Sequence, residues 1–282
     1  GTTVVRVVRT KGLSILRQLR LEEALLRVNT DNWCIVNDGA KDPSVVLGIS
    51  GKPHALVDVA AAYRDGIVVI KRFSGGGTVV VDADTQFVSF ILNAAATPHV
   101  QLFPVPLMRW TGELYGGSNE GVFADVPGFR LRENDYVVGE RKVGGNAQSI
   151  SKNRWLHHTS FLWDFRGEMM RYLKHPAKTP AYRDGRAHLD FLVPLCGLLP
   201  SRDTLPDRIS PALRSMGLEP VHATLEEAEA VVRGLPHHRA TAVVDLAAAL
   251  EAGPEAKAPL LPNPPIDGGV INHKPLTLNS KP

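Results

Sequence analysis

Three consecutive glycines at residues 75–77 separate two short β-rich runs, residues 67–70 and 78–81. Glycine loses more backbone freedom on folding than any other residue, so ordering three in a row is costly unless a ligand or a special turn compensates. Consecutive N–H groups in such a turn can converge on an anion, and nearby Arg72 carries a planar guanidinium that matches carboxylate or phosphate. The segment predicts an anion-binding turn, with a flexible hairpin turn as the alternative.

Several common catalytic motifs are absent from the sequence. Gly48, Gly51 and Lys52 do not have the spacing of a P-loop, and the G-x-G-x-x-G fingerprint of dinucleotide-binding folds is missing. H-E-x-x-H, G-x-S-x-G and C-x-x-C do not occur either. The sequence therefore does not indicate a metalloprotease, an α/β-hydrolase or a thioredoxin-like protein.

A second segment places Lys142 between a hairpin-like turn at residues 139–140 and the glycine pair at residues 144–145. In this position the lysine either reaches into a cleft or is an ordinary solvated edge-strand lysine that discourages strand pairing. Asn134 and Asp135, ahead of the turn, are either a simple turn pair or polar groups that read a base and hold a metal. The sequence alone leaves both pairs of alternatives open.

The adjacent histidines His157 and His158 lie in a third β-rich segment, residues 155–163. Neighbouring residues of a strand point to opposite faces of the sheet, so the two imidazoles cannot easily bind one metal ion together. We predict that one of them lies in the core or bonds to main chain, while the other lines a pocket.

The remainder of the chain predicts a mixture of strands and helices. From Ser14, a predicted N-cap, apolar residues recur at helical spacing as far as Val28, with Glu22, Glu23 and Arg27 between them, which indicates an amphipathic helix. Glycine and proline turns separate β-rich runs that predict one sheet. These runs are residues 33–36, 44–49, 67–70, 78–81 and 87–92.

The pattern changes after Trp163, where residues 205–216, 225–232 and 241–250 have helical character. The last 30 residues contain seven prolines and few large apolar side chains, which predicts an extended tail. The predicted fold class is therefore α+β: a strand-rich mixed sheet with packed helices, followed by a small, mainly helical C-terminal part. The predicted divisions are a catalytic domain at 1–195, a small helical region at 196–252 and a Pro-rich tail at 253–282.

Composition limits the class of protein further. The formal net charge of +3 is too small to indicate a nucleic-acid partner, and no apolar run reaches the roughly 18 to 20 residues that span a bilayer. Cys34 and Cys196 cannot build a disulfide framework, which predicts a reducing intracellular compartment. Residues 1–21 carry five basic residues and no acid, as transit peptides do, but the strand-like residues 4–8 favour a folded segment.

Four separated motifs together resemble the lipoate-protein ligase A family of the biotin/lipoate A/B protein ligase superfamily, in its eukaryotic-type form. The motifs are residues 72–78, the pair Asn134-Asp135, residues 142–147 and residues 157–159, and their order and spacing also agree with that family. Residues 180–192 look like a segment of the eukaryotic members, for which we assign no role. The resemblance implies the biotin/lipoate ligase catalytic-domain fold.

The resemblance also implies an activity: lipoate or octanoate is activated by ATP to an acyl-AMP, and the acyl group passes to a lysine of an acceptor. Implied partners are lipoyl domains of 2-oxoacid dehydrogenase E2 subunits and the glycine-cleavage H protein, with ATP and Mg²⁺ as cofactors. Lys142 is the implied catalytic residue, and Asp135 the implied Mg²⁺ ligand. The implied ligand-binding residues are Arg72, Ser74, Gly75, Gly76, Gly77, Thr78, Asn134, Asp135, Gly144, Gly145, Asn146, Ala147 and His158.

The sequence departs from the family pattern at three points. Lys71 stands where many members have arginine, Thr159 follows the histidine pair where bacterial ligases usually have glycine, and no accessory domain is visible after Trp163. One alternative is therefore an ATP-independent octanoyl or lipoyl transferase, acting through a cysteine nucleophile or on a preformed acyl-AMP. Cys196 is the candidate nucleophile, or else a small buried apolar residue. A second alternative is a non-catalytic ligand-binding module.

We expect an intracellular, soluble protein without nucleic-acid or membrane partners. A mitochondrial location is the first expectation, with the cytosol and the plastid as alternatives. Lipoate versus octanoate, the identity of the acceptor and the oligomeric state are not determined by the sequence.

Overall fold

The computed structural model describes residues 2–117, 119–174, 180–185, 188–257 and 259–263. The strands are β1 (Thr3–Lys11), β2 (Trp33–Asp38), β3 (Ser44–Leu47), β4 (Val68–Lys71), β5 (Val79–Val81), β6 (Thr85–Asn93), β7 (Phe129–Arg132), β8 (Asp135–Val138), β9 (Arg141–Ile150), β10 (Arg154–Leu162), β11 (Leu218–Ala223) and β12 (Ala242–Val243). The helices are α1 (Ile15–Val28), α2 (Pro53–Leu56), α3 (Val59–Arg64), α4 (Pro104–Gly112), α5 (His188–Phe191), α6 (Thr204–Ser215), α7 (Leu225–Ala230) and α8 (Leu246–Ala252).

Within these described residues the strands form two sheets. The larger has the order β11-β1-β2-β6-β10-β9-β8-β7, and the smaller has the order β12-β4-β3-β5. The prediction that the early strands form one sheet is therefore wrong, since β2 and β6 belong to the large sheet and β3, β4 and β5 to the small one. A run of β-branched residues indicates a strand but contains no information about its partner, which long-range pairing decides.

The two faces of the large sheet pack against different layers. On one face, Trp110 of α4 contacts Phe90 and Trp155 at ring distances of 5.7 and 5.4 Å, and α6 adds Leu205 and Ile209 to the same core. The opposite face packs against α1 in a second core that includes Trp33, Leu25 and Leu156. Alternation along β10 thus sends Trp155 to one layer and Leu156 to the other, as the pleat of a strand requires.

Helix α1 begins as the sequence predicts, directly after Ser14, which makes no side-chain capping bond. Glu22 and Glu23, which fall between the apolar positions of this helix, are both buried. Glu23 pairs with Arg27 at 3.0 Å and accepts the main-chain N–H of Thr241 at 2.9 Å. A buried carboxylate is tolerated only when it is paired and hydrogen-bonded in this way.

The C-terminal region contains strands as well as helices, whereas the sequence predicted a mainly helical part. Strand β11 pairs in parallel with β1 in the large sheet, and β12 pairs antiparallel with β4 in the small one. The helix predicted over 241–250 begins only at Leu246, after β12. Residues 196–252 thus extend both sheets of the preceding part. Of the predicted tail, residues 258 and 264–282 lie outside the described residues.

Within the described part of the chain, no helix has the length and apolar character needed to cross a membrane.

Candidate active site

A cavity of about 1100 Å³ lies between the large sheet, helix α1, the small sheet and the segment around residues 180–192. Ser74 and Gly144 are not among the described residues that line it. The other predicted site residues do line it: Arg72, Gly75, Gly76, Gly77, Thr78, Asn134, Asp135, Lys142, Gly145, Asn146, Ala147 and His158. The fold therefore gathers residues of all four sequence-distant motifs around one space.

Arg72 is buried at the base of residues 74–77, here called the glycine loop, and bonds to that loop. Its Nη2 donates to the carbonyl oxygens of Gly75 and Gly77 at 2.7 and 2.8 Å, and its Nε donates to Ser74 Oγ at 3.0 Å. Burial lowers the pKa of Arg72 to about 10, which still leaves the guanidinium charged at neutral pH. The guanidinium therefore organises the loop in this structure, whereas the sequence suggested a fork open to a ligand.

Gly76 must be a glycine for a structural reason, and Gly75 bonds to a neighbouring strand through its main chain. Gly76 has a φ of +100°, and a Cβ there would lie 2.8 Å from Arg72 Nη2 and 3.0 Å from Ala147 Cβ. The N–H of Gly75 donates to the carbonyl oxygen of Gln148 on β9 at 2.9 Å. That N–H is consequently used within the protein, so the predicted convergence of consecutive N–H groups on an anion does not include Gly75.

Lys142 and Asp135 form an ion pair in the cavity wall, with Nζ 2.8 Å from Oδ1. Asp135 pairs with Gly145. If the register continued without a shift, the Lys142 side chain would lie on the face of the sheet opposite to that of Asp135. The register shifts after Tyr136, so that Lys142 pairs with Val137, and a β-bulge of this kind re-aims a side chain. A Cβ on Gly145 would lie 2.9 Å from Nζ, so this glycine makes room for the ammonium group.

Gly144 serves the opposite face of the large sheet. A Cβ at this position would lie 2.7 Å from the ring of Phe161, which belongs to the aromatic core. The glycine pair thus divides its roles, with Gly145 beside the cavity and Gly144 against the core.

Tyr182 is a site residue that sequence reasoning missed. Its hydroxyl donates to Asp135 Oδ2 at 2.9 Å, and burial together with the neighbouring Asp135 carboxylate raises the pKa of Tyr182 well above its ordinary value. A signal for Tyr182 was present in the sequence, because this residue lies in segment 180–192, which resembles the eukaryotic members of the family. Residues 186 and 187 of that segment lie outside the described residues.

His158 connects the glycine loop to a buried carboxylate of α1. Its Nδ1 lies 2.9 Å from Glu22 Oε2, and its Nε2 lies 3.4 Å from Ser74 Oγ. Glu22 also accepts from Gln18 Nε2 at 2.8 Å and from Ser89 Oγ at 2.5 Å. Sequence reasoning missed Glu22, although an acid inside the apolar stretch of α1 was the available signal.

His157 faces the other side of β10, so the prediction of one core histidine and one pocket histidine is confirmed. Its Nδ1 accepts from Gln148 Nε2 at 2.9 Å, and its Nε2 donates to Asn146 Oδ1 at 3.0 Å. Burial lowers the pKa of His157 to about 3, so the ring is neutral. The Asn146 amide nitrogen in turn donates to the carbonyl oxygen of Asn134 at 3.1 Å, which fixes this side chain on the turn before β8.

The residues of the cavity do not form a metal site made of protein ligands alone. Among the described residues no three His, Cys, Asp or Glu side chains are grouped to hold an ion, and both oxygens of Asp135 already accept donors, from Lys142 and Tyr182. The role of Asp135 as a Mg²⁺ ligand stays a prediction, because each carboxylate oxygen can accept a second partner.

Cys196 is exposed, contrary to the expectation of a small buried residue. Its main-chain N–H donates to the carbonyl oxygen of Trp163 at 2.9 Å, and it is not among the described residues that line the cavity. The geometry therefore gives no support to Cys196 as the nucleophile of this site.

A mixed sheet covered by α1, with a glycine loop, a lysine and a partly buried histidine around one cleft, defines the class of biotin/lipoate ligase catalytic domains. The chain belongs to the lipoyl protein ligase A/B catalytic domain family, whose model matches residues 14–193. The family predicted from the four motifs is thereby confirmed.

Sequence relatives include proteins of eukaryotes and of bacteria. The chain is 29% identical to a Plasmodium falciparum protein named inactive lipoate–protein ligase 2, over 64% of this chain and 61% of the relative. It is 28% identical to a putative lipoate-protein ligase A of Schizosaccharomyces pombe, over 63% of this chain and 46% of the relative. It is 30% identical to lipoate-protein ligase LplJ of Bacillus subtilis, over 43% of this chain and 34% of the relative. The match thus spans less than two thirds of each relative's length.

Solved structures share the fold. A lipoate-protein ligase A bound with ATP superimposes with a TM-score of 0.65 at 17% identity, covering 83% of this chain and 94% of that one. A putative lipoate protein ligase of Thermoplasma acidophilum with bound lipoic acid gives a TM-score of 0.64 at 17% identity, over 82% and 94%. The predicted fold class, a strand-rich mixed sheet with packed helices, is confirmed.

Proposed function

We propose that this chain is a lipoate-protein ligase, which activates lipoate or octanoate with ATP to an acyl-AMP and transfers the acyl group to a lysine of a lipoyl-domain acceptor. The observation that carries the proposal is the Lys142 ammonium, held 2.8 Å from Asp135 in the wall of a cavity that also borders the glycine loop. Membership of the family and the names of the relatives support the same activity.

The proposed chemistry has two steps. A carboxylate oxygen of the fatty acid attacks the α-phosphorus of ATP, forming a mixed anhydride and releasing pyrophosphate. The amine of the acceptor lysine then attacks the acyl carbon, the bond to AMP breaks, and the amine loses a proton. Negative charge develops on oxygen in both steps, and a cation in a poorly hydrated cleft stabilises such charge strongly. Lys142 supplies that cation, and Mg²⁺ arrives as the complex with ATP.

The apolar part of the cavity suits an eight-carbon acyl chain. Ile15 and Leu19 of α1 line it together with Val81 and Phe87, and the four residues belong to one buried apolar cluster. Pockets of this kind gain affinity from apolar contact and orientation from a few polar groups. His158 and Glu22 provide polar groups in the same cavity. The proposed acceptors are lipoyl domains of E2 subunits and the glycine-cleavage H protein, and a solved archaeal ligase together with its E2 lipoyl domain is similar in fold to this chain.

A second candidate function is transfer from a preformed acyl-AMP without use of ATP. Two observations favour it: the guanidinium of Arg72 is bonded to its own loop, and the Asp135 carboxylate is bonded to Lys142 and Tyr182. Both groups therefore already have partners within the protein in this conformation. The name of the Plasmodium falciparum relative, inactive lipoate–protein ligase 2, agrees with a chain that lacks ligase activity.

The test separates the two half-reactions. Purified protein is mixed with lipoate, ATP and Mg²⁺ without acceptor, and pyrophosphate release and lipoyl-AMP are measured. Formation of lipoyl-AMP supports the ligase. No lipoyl-AMP, but acylation of a lipoyl-domain lysine from supplied lipoyl-AMP, supports the transferase. Binding of lipoyl-AMP without either reaction identifies a non-catalytic binding module and overturns both enzymatic proposals.

A further inference from the structure

The segment 180–185 is held against the turn between β7 and β8. The Glu133 carboxylate accepts the main-chain N–H groups of Ala181 and Tyr182 at 3.2 and 3.1 Å. The guanidinium carbon of Arg132 lies 4.7 Å from the centre of the Tyr182 ring, a cation–π contact. The hairpin that carries Asp135 therefore also carries the docking contacts for Tyr182.

The turn residue Glu133 has a left-handed conformation, with a φ of 50°. A non-glycine residue in this region costs about 1 kcal/mol or more and is maintained only when its surroundings require it. Here the carboxylate of Glu133 is used by the segment that it docks. The Tyr182 ring completes the docking by packing on Phe191 at 5.1 Å, in a small core that includes Val137 of β8.

Tyr182 and Lys142 hold the two oxygens of one carboxylate. The Tyr182 hydroxyl donates to Asp135 Oδ2 at 2.9 Å, and Lys142 Nζ lies 2.8 Å from Oδ1. A carboxylate with a donor on each oxygen cannot rotate about its Cβ–Cγ bond without losing both bonds. The hydroxyl remains a donor at neutral pH, because burial and the Asp135 charge raise the pKa of Tyr182.

We propose that Tyr182 is a positioning residue for the acyl transfer: its hydroxyl fixes the Asp135 carboxylate, and that carboxylate fixes the Lys142 ammonium in the cavity wall. This inference rests on the proposed function. Tyr182 itself contacts Asp135, not the reacting atoms, so its effect passes through the ion pair. Loss of the hydroxyl frees one carboxylate oxygen, and Lys142 then samples positions away from the reacting carbonyl and phosphate.

The variant Tyr182→Phe removes only the hydroxyl and keeps the ring contacts with Arg132 and Phe191. Acyl transfer from supplied lipoyl-AMP to a lipoyl-domain lysine is measured, because this step does not depend on ATP use. We expect kcat to fall about tenfold, the effect of losing one hydrogen bond to a charged group, with KM for the acceptor domain unchanged within about twofold. A rise in KM at unchanged kcat would overturn the positioning role.

Tyr172→Phe is the matched control. The Tyr172 hydroxyl is bonded in the same way, to Asp65 Oδ2 at 3.1 Å, and Tyr172 is buried in a different core. Its loss should leave kcat at the wild-type value. If wild-type protein transfers no acyl group, the proposed function fails first. If wild type is active and Tyr182→Phe has wild-type kcat and KM, the proposed function stands and the positioning role is wrong.

A second measurement does not require turnover. Wild-type protein and Tyr182→Phe are treated briefly with acetic anhydride, and acetylation of Lys142 is quantified by mass spectrometry against that of exposed Lys152. We expect Lys142 to be acetylated several-fold faster in Tyr182→Phe, because its ammonium is held less firmly, with Lys152 unchanged. Equal acetylation of Lys142 in both proteins would overturn the inference even if kcat had fallen, since Tyr182 would then act by another route.

Discussion

Lys142 and Asp135 meet across the β8–β9 hairpin, with Nζ 2.8 Å from Oδ1. They do so because β9 has one extra residue at the register shift after Tyr136. The extra residue reverses the alternation of side chains and brings the lysine to the face that carries the aspartate. The proposed acyl transfer depends on this pair, which is positioned by a backbone irregularity and by the absence of a side chain at Gly145.

The variant Lys142→Ala should lower turnover about a hundred- to a thousand-fold, the loss found when a preorganised charge-stabilising group is removed from an active site. Transfer of lipoate from supplied lipoyl-AMP to a lipoyl-domain lysine is the measurement. Lys152→Ala, at an exposed turn position, is the control and should retain wild-type rates. Wild-type turnover in Lys142→Ala would show that this lysine is not the catalytic residue.

The paired variants Gly145→Ala and Gly144→Ala should affect different properties, turnover in the first and stability in the second. A Cβ on Gly145 meets the flexible end of Lys142 at 2.9 Å, so the ammonium moves and turnover falls while the unfolding midpoint stays near that of wild type. A Cβ on Gly144 meets the buried Phe161 ring at 2.7 Å, and overpacking of a core costs about 1–3 kcal/mol of stability. Urea unfolding and transfer rates measured on both proteins test this. Equal effects on stability would contradict the division of roles between the two glycines.

Within the glycine loop, Gly76→Ala should lower the free energy of unfolding by about 1–3 kcal/mol, because an alanine at a φ of +100° is strained and its Cβ conflicts with Arg72. Gly77→Ala is the matched variant, since its Cβ meets no atom within 4 Å. It should change the free energy of unfolding by less than about 0.5 kcal/mol. A large loss of stability in both variants would mean that loop entropy, not the Gly76 contacts, dominates.

Stability should depend on pH through His157. Burial lowers the pKa of His157 from 6.5 to about 3 in the folded protein, so between these values the unfolded chain binds a proton that the folded protein does not. The stability from the neutral, buried ring is complete above pH 6.5 and is lost as the pH falls, by up to about 1.4 kcal/mol per pH unit. His157 should therefore make the folded protein about 2 kcal/mol less stable at pH 5 than at pH 7.

Urea unfolding at pH 5 and pH 7 checks this dependence. His157→Gln should remove that part of the difference between the two pH values. Exposed His222 on β11 provides the control, and His222→Gln should retain the wild-type difference. If His157→Gln loses as much stability between pH 7 and pH 5 as wild type does, the pH dependence has another source.

Local patterns along the chain were sufficient for most elements and for the identity of the motifs. Helix α1, the hairpin β8–β9 and the opposite orientations of His157 and His158 follow from spacing, because a helix repeats every 3.6 residues and a strand every two. The same reasoning did not identify Glu22 as a residue of the site. Spacing treats a charged residue as solvated, whereas a fold can surround it with donors from distant segments, here Ser89 and His158.

The sequence by itself determined the family, most of the elements and many of the residues that line the cavity. Only the tertiary structure decided that the early strands divide between two sheets, that Arg72 bonds to its own loop, and that Tyr182 reaches Asp135 from 47 positions away in the chain. The physical reason is that periodicity reports which side of its own element a residue faces. Strand partners, a register shift and buried hydrogen bonds depend on contacts between segments far apart in sequence, and those contacts form only in the folded chain.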